Sequence, residues 1–349
     1  MKKTLLALFL ILSLILSGCV IVVETPVETA APVSGEGLTV HFIDVGQADC
    51  ALLECDGKYM IIDGGNVGDG QKVISYLQQQ GVEELEAVVC THAHEDHVGG
   101  LPSVLAVYPT KAVYAPTKTY SSKVFDDFLY YTDQQRLEVT IPSPGDRLDL
   151  GQTRITVLGP VKSYAETNDT SIVLRVEYGE NSFLFTGDME VAAENDMLDH
   201  WAGRMNWQTD VLKVGHHGSE TSTGHRFLYE VSPEYGVISV GEGNSYGHPN
   251  EAPMSRLNDA GVALFRTDYL GTVVAYADGE EIRFTWEDQN ASPEDVEPAQ
   301  PQIFIGNKNS KKFHAPDCGS LPKEENRVEF DAYNAAVDAG YTACSSCLG

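Results

Sequence analysis

From residue 38 to residue 286 the chain alternates short apolar runs with turns rich in glycine, aspartate and histidine. Residues 38–45, 50–54 and 59–62 are apolar and read as three strands. Asp56-Gly57, between the last two, is a hairpin turn signal. Further strands are predicted over 85–90, 172–178, 183–188, 211–214, 271–276 and 281–286. Asp278-Gly279 turns the last pair. A helix is predicted over 71–80, closed by Gly81, and the start of another over 101–107. Residues 110–150 read as alternating short strands and loops. Tyr114, Tyr120, Tyr130 and Tyr131 in that segment read as half-buried structural residues, ahead of a place on a cleft.

The two ends depart from this pattern. Lys2 and Lys3 precede an apolar stretch over 5–16, the length of a signal-peptide core and too short for a comfortable membrane span. It ends in Leu16-Ser17-Gly18-Cys19, which resembles a bacterial lipobox. Residues 1–18 are therefore expected to be a lipoprotein signal peptide, with lipid on Cys19 anchoring the chain to a membrane. An ordinary signal peptide, or an uncleaved anchor, beside a chance cysteine is the other reading. Either places the body outside the cytoplasm. Residues 19–36 carry Pro26, Pro32, Ser34 and Gly35 without helical period and read as a flexible tether. Residues 288–301 are rich in Pro, Glu, Asp and Gln and read as a linker. That leaves 37–287 as the main domain and 302–349 as a small module.

A length of 349 residues fits two domains, and 42% hydrophobic composition is enough for a core. The formal net charge is -28, from 51 acidic against 23 basic residues. Nucleic-acid affinity comes mostly from Lys and Arg, so the body is poorly charged to grip a polyanion. The tail is nearly balanced, and a DNA grip is expected there first. Cys50, Cys55 and Cys90 sit in or beside strands and read as buried, unreactive thiols.

The chemistry concentrates at Thr91-His92-Ala93-His94-Glu95-Asp96-His97-Val98-Gly99-Gly100. His92 and His94 alternate onto one side, and Asp96 and His97 turn in from the next bend. Imidazole nitrogen and carboxylate oxygen are the ligands that zinc, iron and manganese share. Four such ligands so close suit two adjacent metals better than one. Gly99-Gly100 is expected to let the backbone pass close to the cluster. A strand, a ligand loop and a helix would hold the metals at the C-terminal end of a sheet.

At this point the chain resembles the metallo-β-lactamase superfamily of binuclear metallohydrolases. Within it, the chain is most similar to the extracellular nuclease-like domain of the competence protein that imports DNA. Besides the histidine motif, the matching stretches are His41 to Asp49, Ile61-Ile62-Asp63-Gly64-Gly65, Phe185-Thr186-Gly187-Asp188, and Leu212 to Ser219. The resemblance implies an α/β fold, the αββα sandwich of that superfamily, with two divalent metals, Zn or Mn. Its metal ligands are implied to be His92, His94, Asp96, His97, Asp188 and His217, with Asp188 bridging. Two ions sharing a carboxylate can activate water near neutral pH. Asp96 would also orient the nucleophile. His216 would face the substrate; which of His216 and His217 is the ligand stays open. His248 is implied to reach the cleft as general acid or phosphate contact. His225 is a weaker candidate, and His41 and His200 read as structural. Asp63 is implied to orient a metal histidine, with a plain strand-ending aspartate as the equal alternative. Many members carry another metal histidine near 168–171. This chain has none between His97 and His200, so water or Asn168 would complete one ion. Ser219 and Thr221 are small donors placed for a phosphate oxygen.

In the tail, His314 and Cys318 are four apart and Cys344 and Cys347 form C-x-x-C. About 48 residues build little core alone and usually need a staple. One structural zinc on His314, Cys318, Cys344 and Cys347 would make the tail a metal-stapled α+β module. The segment is similar to the metal-binding module of the DNA-repair methyltransferase that accepts methyl groups from phosphotriesters. A disulfide with a spare thiol is the rival. The leading functional reading is a phosphodiesterase acting on DNA. A smaller cell-surface phosphodiester such as a phosphorylcholine ester comes second, a lactamase or other carbonyl hydrolase third, and a non-catalytic surface binding protein last. No protein partner is evident.

Overall fold

A computed structural model describes residues 37–293, 303–316 and 318–348. Cys19, the expected signal peptide and tether, and most of the expected linker lie outside the described residues. Among the described residues no helix is long and apolar enough to cross a membrane.

Two mixed sheets face each other. The first has eight strands, in the order Ile282–Trp286, Val273–Ala277, Leu38–Phe42, Ala51–Cys55, Lys58–Ile62, Leu85–Val89, Thr110–Tyr114 and Val139–Thr140. The second has seven, in the order Ala263–Arg266, Tyr235–Ile238, Val211–Lys213, Asn181–Phe185, Val173–Tyr178, Arg154–Gly159 and Arg147–Leu148. Alternation along each strand sorts the side chains. Leu38, Val40 and Phe42 point between the sheets, where they meet Leu174, Val176 and Phe183 of the other sheet. Leu52, Ile61 and Val88 point outward, beneath helices Gly70–Gln79, Leu101–Val107 and Lys123–Gln134. On the far side Leu184, Leu212 and Ile238 lie beneath Val191–His200, His225–Val231 and Glu251–Asp259. The layers are helix, sheet, sheet, helix, as expected. Strands covered on both faces explain why the apolar runs are so continuous. Each fully buried Leu, Val or Phe contributes roughly 1.5–3 kcal/mol.

The sequence pattern misses several helices. Residues 110–150 are not strands and loops alone, because Lys123–Gln134 is a helix. Its buried Val124, Phe125, Phe128 and Thr132 share one face. Ser122 caps it by accepting the Phe125 N–H at 3.2 Å. Tyr120 and Tyr131 pack against the core, as read, whereas Tyr130 is exposed. His41 is buried and structural, with Nδ1 2.8 Å from the Tyr76 hydroxyl.

Strand direction sets where the site lies. Lys58–Ile62 and Leu85–Val89 are parallel, and so are Asn181–Phe185, Val211–Lys213 and Tyr235–Ile238. Leu38–Phe42 lies two antiparallel steps from Lys58–Ile62 and shares its direction. Loops leaving the C-terminal ends of these strands carry Asp49, Asp63, the histidine motif, Asp188, His216-His217 and His248. In open α/β sheets that edge is where ligands bind.

The tail is a four-stranded sheet, in the order Arg327–Phe330, Phe304–Asn307, Lys312–His314 and Thr342–Ala343. Helix Tyr333–Asp338 covers a core of Phe304, Phe313, Ala336 and Tyr341. His225 does not reach the cleft. It stacks on Tyr333 at 5.2 Å, in planes 3° apart, and joins the tail to the main domain.

Gly99 and Gly100 make a close approach, but to a different neighbour from the one expected. A Cβ on Gly100 would lie 2.1 Å from the Gly64 carbonyl oxygen, and one on Gly99 2.2 Å from the Asn66 carbonyl carbon. Their φ angles, -87° and -53°, suit any residue, so contact alone demands glycine. Gly100→Ala is expected to lower stability by roughly 1–3 kcal/mol through forced backbone displacement. Denaturant unfolding checks this, and an unchanged midpoint would refute the contact.

Candidate metal centre

The loops that carry the site are held in strained backbone. Asp63, His216 and His217 have φ of 60°, 48° and 53°. Left-handed backbone costs a residue with a Cβ roughly 1–2 kcal/mol. Three instances at one site mark geometry that the surrounding fold enforces.

Hydrogen bonds on the outer ring nitrogens decide what the inner ones can do. His97 Nδ1 donates to Asp63 at 2.8 Å. His217 Nδ1 donates to the Ser239 carbonyl at 2.9 Å, with Asp49 at 3.2 Å. The Thr91 hydroxyl donates to Asp63 at 2.7 Å, which leaves its oxygen free to accept from His92 Nδ1 at 3.2 Å. Each of these rings therefore turns a bare Nε2 inward.

The inward atoms converge on Asp188. Its Oδ1 lies 3.2 Å from His97 Nε2. Its Oδ2 lies 3.8, 3.6 and 3.7 Å from Nε2 of His92, His216 and His217. Asp96 approaches His217 Nε2 at 3.4 Å. Asp96, His97, Asp188 and His217 each offer an atom within 4.8 Å of the others. On the other side His92 Nε2 and His94 Nδ1 are 3.1 Å apart. His97 Nε2, His217 Nε2 and Asp188 Oδ1 are buried without a hydrogen-bond partner. Orphaned acceptors aimed at one point are what a cation would satisfy. Imidazole and carboxylate together suit zinc and manganese, so these residues fit divalent metal.

The field here favours positive charge strongly. Burial opposes charge on every member, yet mutual attraction wins at most of them. Against its burial, Asp188 is held well below the carboxylate range by His97 and His217. His97 is raised well above the imidazole range and His217 to about 10, in both cases against burial and chiefly through Asp188. Asp96 falls to about 2, where the His217 hydrogen bond and the His97 charge outweigh its burial. His92 goes the other way, lowered by burial and by His97.

A second layer of charge was not legible in the sequence. Lys213 Nζ, buried, lies 2.8 Å from the Asp49 carboxylate, whose other oxygen faces His217. A lone lysine in the apolar run 211–214 was the available signal, since buried lysines are almost always paired. Glu190 was also missed. Its Oε1 accepts from Asn168 Nδ2 and from Thr221 Oγ1, each at 3.1 Å, and lies 3.6 Å from His216 Nδ1. Asn168 thus turns its amide nitrogen to Glu190. Ser219 and Thr221 hydroxyls are 3.1 Å apart on the same rim.

His248 joins this rim, with its ring 5.7 Å from that of His216. Gln47 Oε1 accepts the Gly241 N–H at 3.2 Å, which points the Gln47 amide N–H groups at His248 Nδ1, 3.4 Å away. Nδ1 is then the acceptor, and the proton sits on Nε2. Burial, with His216 and His217 nearby, lowers the His248 ring to about 4, so it is neutral at pH 7. In the tail, His314, Cys318, Cys344 and Cys347 offer atoms within 4.8 Å of one another, and these cysteines are free thiols.

Residues 43–242, more than half of the chain, match the metallo-beta-lactamase superfamily, and the chain belongs to it. Residues 291–348 match the metal binding domain of Ada. The chain is 31% identical over 259 residues to ComE operon protein 3 of Bacillus subtilis (strain 168), covering 69% of this chain and 33% of that one. It is 32% identical over 247 residues to competence protein ComA of Neisseria gonorrhoeae, covering 70% and 33%. It is 31% identical over 242 residues to Recombination protein 2 of Haemophilus influenzae (strain ATCC 51907 / DSM 11121 / KW20 / Rd), covering 67% and 28%. The chain spans about a third of the length of these curated relatives. It is a metal-dependent hydrolase related to competence proteins, with a zinc-type Cys/His module behind it.

Lys213→Met would leave Asp49 buried without its cation. Removing one partner of a buried pair typically costs about 3–5 kcal/mol. The double variant Asp49→Asn with Lys213→Met should recover part of that loss in denaturant unfolding; equal losses in single and double variants would sink the pairing.

Proposed function

We propose that the chain is a phosphodiesterase with two divalent ions, zinc or manganese, and that its substrate is DNA. The convergence of bare nitrogens on Asp188 carries the first part. Relatives named for competence and recombination support the second. Asp96, His97, Asp188 and His217 would hold one ion. His92, His94 and Asp188 would take the other, completed by water or by Asn168.

When bound, the ions polarise the phosphate and lower the pKa of water. The protein's own groups do the rest. Asp188 sits between the two ligand sets, where its negative charge would offset the repulsion between two cations. Asp96 orients the attacking water. The neutral His248 donates its Nε2–H to a phosphate oxygen, joined by the hydroxyl of Ser219, while Thr221 spends its proton on Glu190. His216, flanked by Asp188 and Glu190, passes a proton to the leaving oxygen as the P–O bond breaks. Asp63 holds His97 through Nδ1. In the tail His314, Cys318, Cys344 and Cys347 would hold one structural zinc. We further propose that the protein works outside the cytoplasm, anchored by lipid on Cys19. The net charge of -28 favours one rival, a smaller surface phosphodiester such as a phosphorylcholine ester.

The full chain, supplied with zinc or manganese, should cleave DNA, and Asp96→Ala should lower kcat by roughly a hundredfold or more. Single-stranded DNA, duplex DNA and a phosphorylcholine ester would be offered side by side. Cleavage of the ester alone would move the substrate to the cell envelope. Metal analysis tests the ligand sets separately. Asp188→Asn should lose metal from the main domain and keep that of the tail, and Cys344→Ser the reverse.

A further inference from the structure

Tyr246 is 70% exposed, at the mouth of the metal centre. Single exposed aromatics are common on proteins. This one differs in position and in how it is held. Three rings step outward from the buried cluster. His248 lies 6.4 Å from His217, in planes 24° apart, and Tyr246 lies 5.7 Å from His248, in planes 28° apart. Tyr246 is the outer step of that stack.

Asn244 fixes the step. Its Oδ1 accepts the N–H of Tyr246 at 3.1 Å and of His248 at 3.0 Å. Its Nδ2 donates to the carbonyls of Gly241 at 3.0 Å and His248 at 2.6 Å. Gln47 braces the same loop through the Gly241 N–H. The backbone that carries the ring is therefore fixed before anything binds, and His248 lies against the ring, which lowers the entropy cost of using it.

Charge indicates what would lie on it. With 51 acidic against 23 basic residues, the chain has few cations to hold phosphates one by one. A base stacked on an aromatic ring needs none. Bases in a duplex are already paired and stacked, so only an unpaired base reaches the ring. Quaternary ammonium groups also bind aromatic faces, typically within cages of several rings. One open, flat face suits one flat base.

We infer that Tyr246 is a stacking platform for a nucleobase beside the scissile phosphate, so that this site takes single-stranded nucleic acid. The inference rests on the phosphodiesterase reading of the same site. The test measures kcat/KM of the full chain, loaded with zinc or manganese, on a single-stranded oligonucleotide and on an abasic strand of equal length and charge. The phosphorylcholine ester is run beside them. The wild-type preference for the base-bearing strand should fall roughly tenfold in Tyr246→Ala, mainly through KM, and return in Tyr246→Phe. A preference that survives in Tyr246→Ala overturns the inference. So does a loss that appears on the choline ester instead of the strand. Wild-type protein that cleaves neither strand overturns the DNA reading itself, and the inference with it.

Discussion

A buried carboxylate surrounded by bare imidazole nitrogens cannot be at rest with nothing between them. Asp188 is in that position, with Nε2 of His92 and of His217 within 3.8 Å of one of its oxygens and His97 beside the other. Lone pairs facing one another repel, and Asp188, His92, His97 and His217 are themselves buried. Either protons or metal ions must occupy the centre. The raised His97 and His217 describe the protonated answer. The outer hydrogen bonds describe a site arranged for the other one, because each fixes the ring so that a lone pair points inward.

That constraint reaches well beyond the ligands. Holding His97 requires Asp63, and holding His217 brings in Asp49. Two further carboxylates beneath an already negative centre would be unfavourable without a cation. Lys213 supplies one from inside an apolar strand. The positions of these groups depend in turn on the parallel strands, which end together and deliver their loops to one edge. Left-handed backbone at Asp63, His216 and His217 belongs to the same account: the loops are bent by the fold into a geometry they would not choose alone.

The sequence showed some of this plainly and concealed the rest for physical reasons. The strands were legible because burial on both faces makes long apolar runs. The His92 to His97 motif was legible because its donors lie within six residues. Asp188 and His217 lie far along the chain from it, and only likeness to a known family linked them. Glu190 acts through hydrogen bonds, and Asp49 and Lys213 through ion pairs, to residues far along the chain, and such pairings leave no local spacing to read. The helices Val191–His200 and His225–Val231 were missed because two or three turns carry little period. The glycine pair was noticed for the wrong neighbour, since a sequence shows that a backbone is bare without showing what comes near it.

The acidity of the chain and the proposed chemistry are reconcilable once distance is considered. At physiological salt, exposed charges more than about 8 Å apart are largely screened from one another. Those of the 51 acidic residues that lie beyond that distance therefore act little on a phosphate at the metal centre. What net charge does affect is approach, because a negative surface slows encounter with a long polyanion. A site of this kind would favour a short or flexible strand that enters end-on over a rigid duplex laid across the surface. The tail bears on the same point. Its nearly even balance of charge, together with its seat on helix His225–Val231 through Tyr333, sets the least repulsive part of the chain directly on the main domain.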